Sequence, residues 1–276
     1  MLLTRVITAV CLLLLILPIL FLAPPTALAG LVAVIVLLGG WEFGRLIGLR
    51  GAWPYIYAVA CLLALIAWHD APERQAVTWL MEGALVAWGV ALVLMARGVH
   101  KATTGFTVLG AILGLIMLPA FGHAVMVLRA AGIGVLLTAA VLVWAADIGA
   151  YFVGKAIGRR KLAPSISPGK SWEGAIGGWL LAMIVALVFA ATRAFSPTWY
   201  SLVADKGGLG LVAILTTLLV AASIVGDLFE SLLKRQVGMK DSSRLLPGHG
   251  GIMDRLDSLL PCAAVAYLML SWIAPT

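Results

Sequence analysis

Charge is scarce in this 276-residue sequence: Asp, Glu, Lys and Arg make up only 11% of it, against 63% hydrophobic residues. A soluble domain is about a quarter charged, so this composition and a mean hydropathy of +1.09 exclude an ordinary soluble protein. Cysteine is nearly absent. Cys11, Cys61 and Cys262 each fall inside an apolar run, with no paired spacing, which excludes a zinc-binding or disulfide framework and leaves them as packing residues. There is no repeat of fixed period, no low-complexity tract and no long polar tail, and hence no sign of a soluble appendage.

What is present is a series of apolar runs near 6–22, 27–48, 54–69, 77–96, 105–121, 131–152, 174–193, 208–229 and 259–274. Each approaches or exceeds the ~20 residues that cross a hydrocarbon layer as a helix. They predict an all-α, polytopic membrane bundle of about nine transmembrane helices. Its connections are short, so residues 1–276 form a single integral membrane domain, with a generic bundle over 1–130 and a catalytic half over 131–276. Arg5, the apolar run after it and Ala27-Leu28-Ala29 imitate a signal peptide, but the simpler reading is an uncleaved first helix.

The net charge of +7 could attract nucleic acid, but its placement argues otherwise. With alternating spans, all 19 basic residues except Arg74, Arg129, Arg193 and Lys206 share the face that holds the N-terminus. The positive-inside rule makes that face cytoplasmic, as in a bacterial inner membrane. The surplus reads as topology plus attraction for anionic headgroups and substrates, with no nucleic-acid partner.

Most polar residues of the first half have modest readings. Glu42 and Arg45, three apart at the end of the second span, read as a snorkelling interfacial pair. Trp53, Trp68, Trp79, Trp88, Trp199 and Tyr200 fall near span ends and read as headgroup-level anchors. His69, His100 and His123 stand alone at loop edges and read as structural or solvated.

The second half carries the chemistry. Asp147 lies among apolar neighbours in the sixth span, where a carboxylate normally faces a polar cavity and has a partner; the alternative is a helix-end acid pairing with Lys155 or reaching water. Lys155, Arg159, Arg160 and Lys161 follow as a basic run suited to headgroups. Then comes Ser167-Pro168-Gly169-Lys170-Ser171-Trp172-Glu173-Gly174. Ser171 is a helix N-cap candidate, and the free N–H groups there favour an anion, with Lys170 alongside. The Gly-Lys-Ser triplet is not a P-loop, because the motif's first glycine is missing and no strand precedes it.

On the eighth span, Asp227 and Lys234 project about 20° apart, and Glu230 about 60° to the side. Carboxylates are the ligands Mg²⁺ prefers, together with waters and substrate phosphates. Lys240-Asp241 follow in a polar loop, then Pro247-Gly248-His249-Gly250-Gly251, whose glycines permit close approach and an anion-binding nest. Asp254 and Asp257, three apart, either cap the last span or complete a metal site with Asp227. Acids for hard cations, several lysines and arginines, and glycine turns on one face of a membrane bundle point to phosphate chemistry on a lipid. No nucleophile has an adjacent base, so metal-assisted displacement at phosphorus is favoured over acyl transfer.

The stretch from Ser231 through Lys234-Arg235, Lys240-Asp241 and Pro247-Gly-His-Gly-Gly-Ile-Met-Asp254-Arg255-Leu-Asp257 resembles the signature of the phosphatidate cytidylyltransferase (CDP-diacylglycerol synthase) family. The segment from Asp147 through Gly174 resembles the family's second block, and Trp41-Glu42 is family-like. The resemblance implies CTP and phosphatidic acid as substrates, CDP-diacylglycerol and pyrophosphate as products, Mg²⁺ alone or with a second cation, and a homodimer among membrane lipids. On this reading Asp227 and Asp254 hold metal, with Asp257 and Asp147 as further or outer ligands. Lys170, Lys234 and Lys240 neutralise the triphosphate, Arg235 and Arg255 hold phosphate oxygens, and Gly250-Gly251 admit the nucleotide. Ser171 and Glu173 belong to the substrate-binding block, Asp241 orients a lysine, and His249 has a positioning role. The rival readings are a CTP-dependent polyprenol or dolichol kinase, which would release CDP, and a lipid or ion transporter centred on Asp147.

Overall fold

The structure is a computed structural model describing residues 2–69, 74–100, 102–193 and 195–273, with residues 2–5 and 74 described by backbone alone. Lys101 and the side chains of Arg5 and Arg74, which entered the charge-placement argument, therefore lie outside the described residues.

The apolar runs become helices wherever the backbone must satisfy its own hydrogen bonds in lipid. In chain order these are α1 (Leu2–Phe21), α2 (Pro25–Leu46), α3 (Trp53–His69), α4 (Arg74–Ala96), α5 (Thr104–Ala131) and α6 (Ile133–Ile157). A short hairpin of β1 (Lys161–Ala163) and β2 (Ser167–Ser171) precedes α7 (Trp172–Thr192), α8 (Trp199–Gln236), α9 (Met253–Leu256) and α10 (Leu259–Ile273). Among the described residues, six helices (α2 and α4 to α8) are long and apolar enough to cross a membrane, and Val6–Phe21, Trp53–His69 and Leu259–Ile273 are apolar but shorter. The architecture is an all-α polytopic membrane bundle.

Three differences from the sequence reading have local causes. The hairpin places Gly169 and Lys170 on a strand, so a strand does lead into the Gly-Lys-Ser triplet, and Ser171 then caps α7 by accepting from Gly174 N at 3.2 Å. The eighth helix begins at Trp199, well before the expected 208, and bends at Gly207–Gly208, where Gly208 has φ 68°. Its first turn is fixed by a capping box between Thr198 and Ser201. Trp199 and Tyr200 are consequently core residues rather than interfacial anchors. Both are fully buried, and Tyr200 donates to Thr138 O at 3.1 Å. Trp88 is likewise buried, edge-on to Phe229 at 5.8 Å, and His123 lies buried within α5 with its ring 6.3 Å from that of His69.

Close backbone approach between α6 and α7 sets up the site. A Cβ on Gly178 would strike Ala146 O, and one on Gly149 would come within 2.6 Å of Gly177 O. Small residues let membrane helices pack this tightly by dispersion alone. The result places Asp147, on α6, in the wall of one cavity with Gly169 and Lys170 of the hairpin. One buried cluster joins α2 to α5 with Phe229, Leu232, Leu233, Met253 and Leu260, so the first helices pack directly under the C-terminal stretch.

Candidate active site

The helical spacing of α8 delivers Asp227, Glu230 and Lys234 to one side, where they meet two other pieces of chain. Lys234 Nζ donates to Glu230 Oε2 at 2.6 Å and to Asp254 Oδ1 at 2.7 Å. The Glu230 and Asp254 side chains are only 2% and 8% exposed, so these are low-dielectric pairs. Asp254 Oδ2 accepts Ser242 N, Ser242 Oγ and Gly251 N at 2.9, 2.9 and 2.8 Å. Burial alone would raise the Asp254 pKa, but Lys234 and these donors outweigh it and hold the carboxyl below its ordinary range.

Two turns before Lys234 on α8, Asp227 makes an ion pair with Lys170. The pair borders a cavity of about 450 Å³. Asp147, Lys155, Ser171 and Ser223 also line it, and the rest of the wall from α6, α7 and α8 is largely apolar. Asp147 lines this largely apolar cavity and makes no ion pair with Lys155 among the described residues. Lys155 Nζ lies 5.7 Å from the Tyr151 ring. Asp257 stands between the two clusters, its pKa pushed up to about 7 by burial and then by the Asp227 charge. Its Oδ1 also accepts from the adjacent Ser258 N at 2.7 Å, which is not the bond to the second or third helical N–H that a cap of the last helix would make.

The α8 backbone approaches this corner closely. A Cβ on Gly226 would strike the Asp257 carbonyl and lie 2.9 Å from Pro261 Cδ and Cγ. Backbone and proline ring have little room to yield, so Gly226→Ala is expected to separate Asp227 from Asp257. Thermal unfolding should show a destabilisation of about 1–3 kcal/mol, and the folded fraction should lose most of its activity.

The remaining residues singled out in the sequence take varied places. Lys240 and Asp241 are exposed and line a separate cavity of about 600 Å³ with Trp41, Arg45 and Arg244. Arg235 Nε donates to Ile166 O at 3.4 Å, and Arg255 holds His249 O through Nε and Nη2 at 3.2 and 2.8 Å. Glu173 accepts from the backbone N of Arg159 and Arg160 at 3.1 and 3.2 Å, tying the end of α6 to α7. Gly250, with φ 84°, allows the close approach foreseen for the glycine turn, since a Cβ there would lie 2.6 Å from Asp254 Oδ2. The anion in this turn is the chain's own Asp254.

The sequence marked Glu42 as family-like but gave it the wrong role, that of a snorkelling surface pair. Glu42 is fully buried, and among the described residues it makes no ion pair with Arg45, which donates to Ser242 O. Its carboxylate instead accepts hydrogen bonds from Ser242, Ser243, Ile252 and Met253. The isolated WEFGR segment gave no hint of these donors, because all of them lie some 200 positions away in sequence.

The carboxylates suit a hard cation in an open site. No group of three or more His, Cys, Asp or Glu capable of holding a metal is found among the described residues. The mutual repulsion of Asp227 and Asp257 nonetheless favours a cation between them, and Mg²⁺ commonly needs only one or two carboxylates with water and substrate phosphates. Asp254, with its oxygens on Lys234, Ser242 and Gly251, would have to exchange one of these partners to join them.

Comparison with known proteins places the chain in a family. The sequence model of the cytidylyltransferase family matches residues 3–273. The chain is 40% identical to the phosphatidate cytidylyltransferase of Pseudomonas aeruginosa, covering 98% of both chains. It is 38% identical to that of Haemophilus influenzae over 92% of this chain and 93% of the relative. A third relative of the same name, from Brucella suis, is 52% identical over 46% of this chain and 43% of its own. By the extent of these matches, the chain belongs to the cytidylyltransferase family.

Proposed function

We propose that this protein is a phosphatidate cytidylyltransferase, joining CTP and phosphatidic acid into CDP-diacylglycerol with release of pyrophosphate at the cytoplasmic face of a bacterial inner membrane. The observation that carries this reading is the Lys170–Asp227 pair at the edge of a largely apolar cavity within a membrane bundle. An apolar wall with one charged end fits an amphiphile whose headgroup is a phosphate.

In the proposed reaction a phosphatidate oxygen forms a bond to the α-phosphorus of CTP while the bond to pyrophosphate breaks in line. A phosphate monoester is already anionic near neutral pH, so the step needs no strong base. The chain's work is positioning and charge stabilisation. Lys170 would hold phosphate oxygens at the cavity edge, and Asp227 would orient Lys170 before substrate arrives. Lys234, fixed between Glu230 and Asp254, would set positive potential beside the triphosphate. Asp227 and Asp257, with Asp147 and Asp254 as further carboxylates, would hold Mg²⁺, which when bound supplies neutralisation of the triphosphate and of the leaving pyrophosphate.

The test is pyrophosphate release by the purified protein in detergent. Release is expected only with CTP, phosphatidic acid and Mg²⁺ together. Release without the lipid, or none with all three in a folded preparation, would sink this reading.

A further inference from the structure

Glu42 belongs to α2, in the half of the chain where the sequence points to no catalytic, substrate-binding or metal candidates. A buried carboxylate must find donors or a cation, and Glu42 makes no ion pair among the described residues. Oε2 accepts from Ser242 Oγ at 2.9 Å and Met253 N at 2.7 Å; Oε1 accepts from Ser243 Oγ at 2.5 Å and Ile252 N at 3.0 Å. All four donors come from the segment that leads into Asp254. Arg45, one turn later on α2, holds the same segment by donating to Ser242 O at 3.3 Å.

The link to Asp254 is direct. Ser242 Oγ lies 2.9 Å from Glu42 Oε2 and also 2.9 Å from Asp254 Oδ2. A hydroxyl has one proton, so it donates to one of the two carboxylates at a time. Gly251 supports the same arrangement independently. Its N–H donates to Asp254 at 2.8 Å, and a Cβ there would strike Ser242 Oγ and both Glu42 oxygens. The backbone is thus close enough to be held by one carboxylate while it holds the other.

We propose that Glu42 is a positioning residue for cytidylyl transfer: through Ser242 and the N–H groups of Ile252 and Met253 it fixes the Asp254 carboxylate, and with it Lys234, without touching substrate. The proposal rests on the cytidylyltransferase reading above. Glutamine keeps the shape of Glu42 but replaces one acceptor oxygen by an NH₂ group. That group must face a backbone N–H and a hydroxyl, and two of the four hydrogen bonds change. A residue serving only as a structural tie would lower stability and leave the turnover of folded molecules intact.

The experiment compares the full-length wild type with Glu42→Gln, Ser242→Ala and the double variant, purified in detergent, with pyrophosphate release normalised to folded protein. Glu42→Gln is expected to lower kcat about 10- to 100-fold, with the KM for CTP within about threefold of wild type. Ser242→Ala should fall in the same direction, and the double variant should lose less than the product of the two single losses, because both act on Asp254. An unchanged kcat in Glu42→Gln, or multiplying losses in the double variant, would overturn the proposal. Should Glu42→Gln not fold, Ser242→Ala decides: a fall in kcat at steady KM supports it, and an unchanged kcat overturns it. A wild type that releases no pyrophosphate removes the proposed function itself and this inference with it, an outcome distinct from an active wild type with indifferent variants.

Discussion

Replacing Lys234 with Met is expected to cost about 3–5 kcal/mol of stability and to reduce activity to background, because it leaves a buried acidic pair without its cation. Methionine matches much of the lysine stem, so packing changes little. Electrostatics decides the outcome. Glu230 Oε2 and Asp254 Oδ1 both depend on Lys234 Nζ, and Glu230 Oε1 makes no hydrogen bond among the described residues. Asp254 would keep Ser242 and Gly251, whereas Glu230 would lose the one partner described for it. A large fall in thermal midpoint in detergent, with loss of pyrophosphate release, checks this. A variant as stable as wild type would show that the ion-pair network contributes little.

Asp227→Asn is expected to act in the opposite proportion, with a large effect on rate and a small one on stability. The Lys170 and Asp227 side chains are 28% and 29% exposed, so their pairing is worth about 1 kcal/mol or less to the fold. The same change removes the charge that faces Lys170 and one proposed ligand for Mg²⁺. Loss of one preorganised electrostatic contact lowers rates about a hundredfold to a thousandfold. A titration should therefore show pyrophosphate release reduced by that order, with more Mg²⁺ needed for what remains. Full activity at wild-type Mg²⁺ would remove Asp227 from the metal site.

The contrast between these two variants follows from burial, since the Lys234 pairs are enclosed and the Lys170–Asp227 pair is partly open to solvent. The bundle was legible in the sequence because apolar runs of spanning length admit few structures but helices. Asp147 was legible because charge inside an apolar span needs a local reason, and Asp227 and Lys234 because helical spacing puts them on one face. Glu42 was not. Its donors come from a segment distant in the chain, and the acid-base spacing of Glu42 and Arg45 imitates a surface pair. Trp199 and Tyr200 misled for a related reason, since proximity to a span end says nothing about which neighbour covers the ring. The glycine turn was read correctly as a place of close approach, but its approaching groups proved to be Asp254 and Glu42.

The central claim is cytidylyl rather than γ-phosphoryl transfer at the Lys170–Asp227 corner. It is tested most directly by following label from CTP into lipid with the purified wild-type protein, phosphatidic acid and Mg²⁺. Label on the α-phosphorus should appear in the lipid product while label on the γ-phosphorus leaves as pyrophosphate. Transfer of γ-label to the lipid with release of CDP would contradict the account and identify a lipid kinase instead.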